Sequence, residues 1–204
     1  MNPVKDKLLM SRREALVRVS AALGGVSLVG GSALLTACAG PRPTAADLGH
    51  TPFSATDVAF LDEVAETILP ETATPGAKAA GVGPFMALMV TDCYDPAEQA
   101  IFRAGMQTLE NASIEEFRAG FMGAQPEQRL ALLEGFDREQ KGYTDSKAKE
   151  APAHWFRMVK ELTLLGYFTS EIGCTKAMRY VEAPGRYEPC LPLQPGETAW
   201  ASHA

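Results

Sequence analysis

Histidine and cysteine are scarce in this chain. Its 204 residues include three histidines, His50, His154 and His203, and four cysteines, Cys38, Cys93, Cys174 and Cys190. No two cysteines stand in C-x-x-C spacing, which excludes the short zinc, iron–sulfur and thiol-redox motifs and C-x-x-C-H haem attachment. There is no P-loop, no G-x-S-x-G and no H-E-x-x-H, and Gly81-Val82-Gly83 runs straight into Pro84 rather than completing G-x-G-x-x-G. A basic surplus is missing as well: the net charge is −6 and the pI about 5.2, the opposite of a nucleic-acid binder. Beyond residue 40 no twenty-residue apolar run occurs, so nothing there is built to span a bilayer. His154, beside Trp155, reads as a surface or half-buried residue at a helix start. The adjacent carboxylates Asp62-Glu63 and Glu115-Glu116 point in different directions on a helix and read as solvated faces. The residues therefore offer no catalytic, cofactor-binding or metal-binding constellation.

What is present is ordinary globular composition, 46% hydrophobic and 22% charged, with an uneven distribution of charge. The first forty residues carry Lys5, Lys7, Arg12, Arg13 and Arg18 against Asp6 and Glu14, a net of +3, which leaves −9 on the remainder. A basic stretch followed by the weakly hydrophobic run Val19 to Ala37 predicts an export signal over residues 1–39. Ser11-Arg12-Arg13-Glu14-Ala15-Leu16 resembles a twin-arginine signal, with Ala15 where Phe is usual and Val17 where Lys is common. An ordinary Sec signal with a chance arginine pair is the alternative. Four glycines in the run, Gly24, Gly25, Gly30 and Gly31, weaken it as a transmembrane anchor. Leu35-Thr36-Ala37-Cys38 resembles a lipobox whose Cys38 would be acylated, while Ala37-Cys38-Ala39 is also a site for ordinary signal peptidase. Residues 40–52 read as a flexible tether, and residues 53–204 as one domain. A twin-arginine route implies export in the folded state, typically with a cofactor already inserted. The expected location is periplasmic, held to the membrane through Cys38.

The domain reads as all-α, an irregular bundle of about five to seven helices. Ser54 to Asp57 predicts an N-cap, followed by Val58, Leu61, Val64, Ala65 and Ile68 on one face, with Pro70 as the stop. Gly83-Pro84 opens a second helix with Phe85, Leu88, Met89 and Cys93 on one side. Asp95-Pro96 with Glu98 opens a third, carrying Ile101, Phe102 and Leu109. Ser113 with Glu116 predicts a further start leading to Phe117 and Phe121, and Pro126 another with Leu130, Leu133 and Phe136. Residues 142–151 read as an exposed loop. Pro152 then opens the longest apolar helix, with Trp155, Phe156, Val159, Leu162 and Leu165 as core, before a last helix around Ser170 to Tyr180. Residues 182–199 hold Pro184, Pro189, Pro192 and Pro195 and predict an extended tail, which must lie on its own helices or on a second protein.

Phe60-Leu61-Asp62-Glu63-Val64-Ala65-Glu66-Thr67-Ile68-Leu69-Pro70-Glu71-Thr72, followed by Thr74-Pro75-Gly76-Ala77-Lys78-Ala79-Ala80-Gly81-Val82, resembles the opening of the gluconate 2-dehydrogenase subunit 3 family. Tyr167-Phe168-Thr169-Ser170-Glu171-Ile172-Gly173 and Pro184-Gly185-Arg186-Tyr187 resemble its closing motifs. The similarity runs from about Phe53 to Trp200. It implies a small, non-catalytic subunit of a membrane-associated dehydrogenase. The partner it implies is a large FAD-dependent flavoprotein of the glucose–methanol–choline type acting on a sugar or sugar acid, with a cytochrome c subunit carrying haem in some complexes. FAD would then belong to the partner, and this chain would supply the export signal and help the flavoprotein mature. A free-standing periplasmic binding or scaffold lipoprotein is the alternative.

The motif residues read structurally. Pro75-Gly76 is a turn in which glycine would supply a positive φ. Thr169 and Ser170 can cap the last helix, with Glu171 in its first turn or paired with Arg179. Arg186 could bridge to a carboxylate. Tyr167, Phe168, Glu171, Arg186, Tyr187, Cys190 and Trp200 are the candidate partner-contact residues. With Cys38 lipidated an odd number of cysteines remains, and Cys190 is the best placed to bond to a partner or to Cys174.

Overall fold

The computed structural model describes residues 52–183, 185, 190, 192 and 194–201. The signal with Arg12, Arg13 and Cys38, the tether up to Thr51, and the tail residues Arg186 and Tyr187 lie outside the described residues. Among the described residues the regular elements are helical. They are α1 (Ala55–Ile68), α2 (Val82–Cys93), α3 (Pro96–Phe117), α4 (Pro126–Ser146) and α5 (Trp155–Thr169), with a 3-10 turn at Phe121–Gly123 and a π-helical turn at Gly173–Ala177. The fold is an all-α irregular bundle.

Local chemistry sets most helix starts. Ser54 and Asp57 form a reciprocal capping box, as do Asp95 and Glu98, where Pro96 fills the first helical position. His154 caps α5, its Nδ1 accepting from the Phe156 N–H at 3.2 Å. Gly81 precedes α2 with φ +71°, a left-handed conformation that suits glycine. Helix α5 lies at the centre and packs against each of the other four. Phe102, Phe121, Leu61, Met86 and Leu109 are among its fully buried companions in one continuous core.

Three boundaries differ from the sequence expectation. Ser113 does not start a helix: α3 runs on to Phe117, and Ser113 is buried within it, its hydroxyl donating to the Ala119 carbonyl at 2.9 Å. The break comes at Arg118, which caps α3 with φ 59°. Second, α4 continues through Gly142-Tyr143-Thr144-Asp145 to Ser146, so the loop begins only at Lys147. The Tyr143 hydroxyl, donating to the Pro152 carbonyl at 3.1 Å, ties that last turn to the start of α5. Third, the segment after Ser170 closes as a π-helical turn ending at Ala177 rather than as a regular helix to Tyr180.

The buried faces shift as well. In α2 the buried residues are Val82, Gly83, Met86, Ala87 and Val90, whereas Leu88 and Cys93 are exposed. The helix is apolar on most sides, so spacing alone does not orient it. Leu165 of α5, expected in the core, is exposed, as is Leu130 of α4, and Leu132 and Thr163 take buried places instead.

Candidate functional site

The acidic face of α1 is where the sequence reading changes most. Asp62, Glu63 and Glu66 are half-buried rather than solvated, because the loop joining α1 to α2 folds back over them. Glu66 accepts the Glu71 N–H on one carboxylate oxygen and the Lys78 N–H on the other, both at 2.8 Å. Asp62 accepts the Gly83 N–H at 2.9 Å, one of the donors left free in the first turn of α2. Glu63 binds the Lys78 ammonium at 3.0 Å and also the guanidinium of Arg129 from α4. The helix thus holds the turn through side chain to backbone bonds, and one further ion pair fastens α4 to the same face. Glu115 and Glu116, by contrast, are exposed as expected.

Gly76 sits directly against this clamp. Its φ is not positive, so the turn does not require glycine for conformational freedom as the sequence reading had it. A Cβ at this position would instead collide with the Glu66 carboxylate. The requirement is for space.

The closing motif meets the opening one here. The Tyr167 hydroxyl, at the end of α5, donates to the Pro75 carbonyl at 2.8 Å. Tyr167 is buried, while its neighbour Phe168 points outward. Ser170 takes the capping role expected of it, its Oγ accepting the Gly173 N–H at 3.0 Å. Thr169 does not, since its hydroxyl donates back to the Leu165 carbonyl. Glu171 occupies an exposed position in the following turn.

The electrostatics follow from this packing. Burial pushes the Asp62 carboxyl above its usual range, against the Gly83 N–H and the Lys78 charge that draw it down. Burial also acts upward on Glu63, but the Lys78 hydrogen bond and the Arg129 charge outweigh it, and the net shift is downward. On α4, the Lys160 hydrogen bond holds Asp137 below the usual carboxylate range.

Near the C-terminal end, Arg179 and Trp200 form a parallel bridge. The Arg179 N–H donates to the Ala199 carbonyl at 2.9 Å, and the Ala201 N–H donates to the Arg179 carbonyl at 2.8 Å. The Arg179 guanidinium lies 4.3 Å from the centre of the Trp200 ring and pairs with Glu197 at 3.0 Å. Cys93, Cys174 and Cys190 are free thiols, Cys93 and Cys190 exposed and Cys174 half-buried. The Cys174 thiol donates to the Phe168 carbonyl at 3.2 Å.

An open groove of about 450 Å³ separates α4 from α5, and another of about 300 Å³ reaches Ile68, Leu133 and Phe156. Lys160 of α5 pairs with Asp137 of α4 at 2.6 Å beside both grooves, and Arg157 pairs with Glu161 along α5 at 2.7 Å in the first. Among the described residues no three His, Cys, Asp or Glu side chains are grouped to hold a metal ion.

Sequence reasoning reads Asp62 and Glu63 as a solvated face and assigns no role to Glu66, Lys78 or Arg129. One signal was available: Asp62 and Glu66 are like charges four residues apart, an arrangement that costs stability on an exposed helix and calls for partners. No curated protein and no solved structure matches this chain. The family model described as gluconate 2-dehydrogenase subunit 3 matches residues 55–185, more than half of the chain and a span that includes both the clamp and the Tyr167 motif. The chain belongs to the gluconate 2-dehydrogenase subunit 3 family.

Proposed function

We propose that this chain is the accessory subunit of a membrane-associated dehydrogenase. In this reading it binds a large FAD-dependent flavoprotein of the glucose–methanol–choline type that oxidises gluconate or a related sugar. It also supports that partner's maturation and carries it through the twin-arginine pathway by means of Arg12 and Arg13. FAD, and haem where a cytochrome c subunit is present, belong to the partners. Acylated Cys38 holds the complex at the periplasmic membrane.

The observation that carries the reading is the family match over residues 55–185. The motif chemistry agrees with it, since Asp62, Glu66 and Tyr167 spend their polar groups on backbone hydrogen bonds that shape the protein. A folded, flavin-loaded cargo also accounts for a twin-arginine pair on a small chain.

The test is the double substitution Arg12→Lys/Arg13→Lys, followed by fractionation and a dye-linked dehydrogenase assay. Both proteins and the activity are expected to remain in the cytoplasm. Continued export of the flavoprotein would count against the reading.

A further inference from the structure

We propose that residues 194–201 form a strap buckled to the helical body at Arg179, and that this strap opens and closes as a unit while the bundle stays folded. Its opening needs no partner, so it stands whether or not the chain is an accessory subunit.

The strap is shaped by its own sequence. Pro195 and Gly196 take the two central places of a tight turn, and Gly196 has φ +82°, as a type II turn requires at its third residue. The Glu197 N–H closes the turn by donating to the Gln194 carbonyl at 3.0 Å. In return the Glu197 carboxylate accepts the Gln194 N–H at 2.9 Å. These bonds lie within the strap, and they leave the other oxygen of Glu197 to meet Arg179.

Arg179 is the buckle. Its N–H donates to the Ala199 carbonyl, and its own carbonyl accepts the Ala201 N–H. Its guanidinium lies over the Trp200 ring and pairs with Glu197. Backbone bridge, cation–π contact and ion pair thus meet at one residue, placed just beyond the π-helical turn at Gly173–Ala177. Loss of that one side chain removes the ring contact and the ion pair together.

The closed state is held by a narrow margin. Residues 194–200 are exposed, Trp200 at 49%, and among the described residues of the strap only Ala201, at 7%, is buried. Partly exposed ion pairs and cation–π contacts are each weak. A segment with so little buried apolar surface opens locally, well below the free energy that unfolds a core helix. Closure also has a cost, because the Arg179 Nε is buried without a hydrogen-bond partner. Opening returns that donor to water. It also bares a cation and an indole that the closed strap spends on each other.

The test is hydrogen exchange of the purified full-length chain, read by mass spectrometry of its peptides. Protected amides of residues 196–201 are expected to exchange at a rate that low urea leaves unchanged, whereas α5 amides exchange through urea-dependent unfolding. Arg179→Ala is expected to speed exchange at residues 196–201 by about tenfold, with α5 exchange and the melting temperature unchanged. Trp200→Ala, which keeps the backbone bridge and the ion pair, is expected to give a smaller acceleration confined to the same residues.

Exchange of residues 196–201 that rises with urea in step with α5 would join the strap to the bundle's cooperative unit and overturn the proposal. Exchange there that Arg179→Ala leaves unchanged would deny Arg179 the role of buckle, and equal acceleration of the α5 amides would deny the strap its independence. Should Arg179→Ala fail to fold, the urea dependence of the wild type and the Trp200→Ala chain decide. No acceleration in Trp200→Ala then overturns the proposal.

Discussion

The hydroxyl of Tyr167 reaches the carbonyl of Pro75 at 2.8 Å across 92 positions of sequence. This bond joins the end of α5 to the loop that α1 already grips through Glu66. The two most recognisable stretches of the chain are thereby parts of one structural unit.

Replacing Tyr167 with Phe removes that bond and leaves the ring in place. The expected cost is about 0.5–1.5 kcal/mol, the usual net worth of a single hydrogen bond. Urea denaturation followed by circular dichroism measures it, and an unchanged midpoint would show that the contact carries no stability.

Gly76→Ala places a methyl group against the Glu66 carboxylate. Either the loop shifts or Glu66 releases the Glu71 and Lys78 N–H groups, for a loss of about 1–3 kcal/mol typical of overpacking. Glu66→Ala removes both the obstacle and the clamp. The double variant should therefore cost less than the sum of the singles, because both act on one contact. Strict additivity in a double-mutant cycle would refute this account of the glycine.

Asp62 and Glu63 should respond to pH in opposite ways. Asp62 has a raised pKa in the folded state, so its ionised form costs stability at neutral pH and protonation relieves that cost as pH falls. Asp62→Asn keeps an acceptor for the Gly83 N–H and should equal or exceed the wild type at pH 7. Its advantage should fade as pH falls through the raised value. Glu63 has a lowered folded pKa, so its contribution is present above its unfolded value and is lost as pH falls through the folded one. Glu63→Gln should cost about 1–2 kcal/mol at pH 7, since Arg129 loses a charged acceptor, and the deficit should close in acid. Thermal melts from pH 7 to pH 3 check both, and parallel curves for the two variants would contradict the assignment.

The helix starts were legible because their causes are local. Ser54 with Asp57, and Asp95-Pro96 with Glu98, satisfy nearby N–H groups whatever the rest of the chain does. Ser113 with Glu116 carries the same local pattern and yet stands inside a helix. Its buried hydroxyl finds the Ala119 carbonyl beyond the helix end, and the burial that makes this favourable comes from tertiary packing. Gly142 to Ser146 looked like a loop by composition but is held helical at the end of α4, where Tyr143 meets Pro152.

Which side of each helix faces inward was harder to read. Where polar and apolar residues alternate cleanly, as on α1, Val58, Leu61, Val64 and Ala65 were correctly placed. On α2 nearly every side is apolar, so the buried face depends on where α1 and α5 press, and Leu88 emerges on the outside.

The order of residues was enough to dictate an all-helical bundle, most of its helix starts and its family, since capping, proline placement and periodic burial act over a few positions. It was not enough to turn three carboxylates of α1 into a clamp, to bring Tyr167 to Pro75, or to leave Phe168 on display. Those outcomes depend on groups brought together from distant parts of the chain, and a carboxylate becomes a binder of backbone or a solvated charge only once the fold decides what lies opposite it.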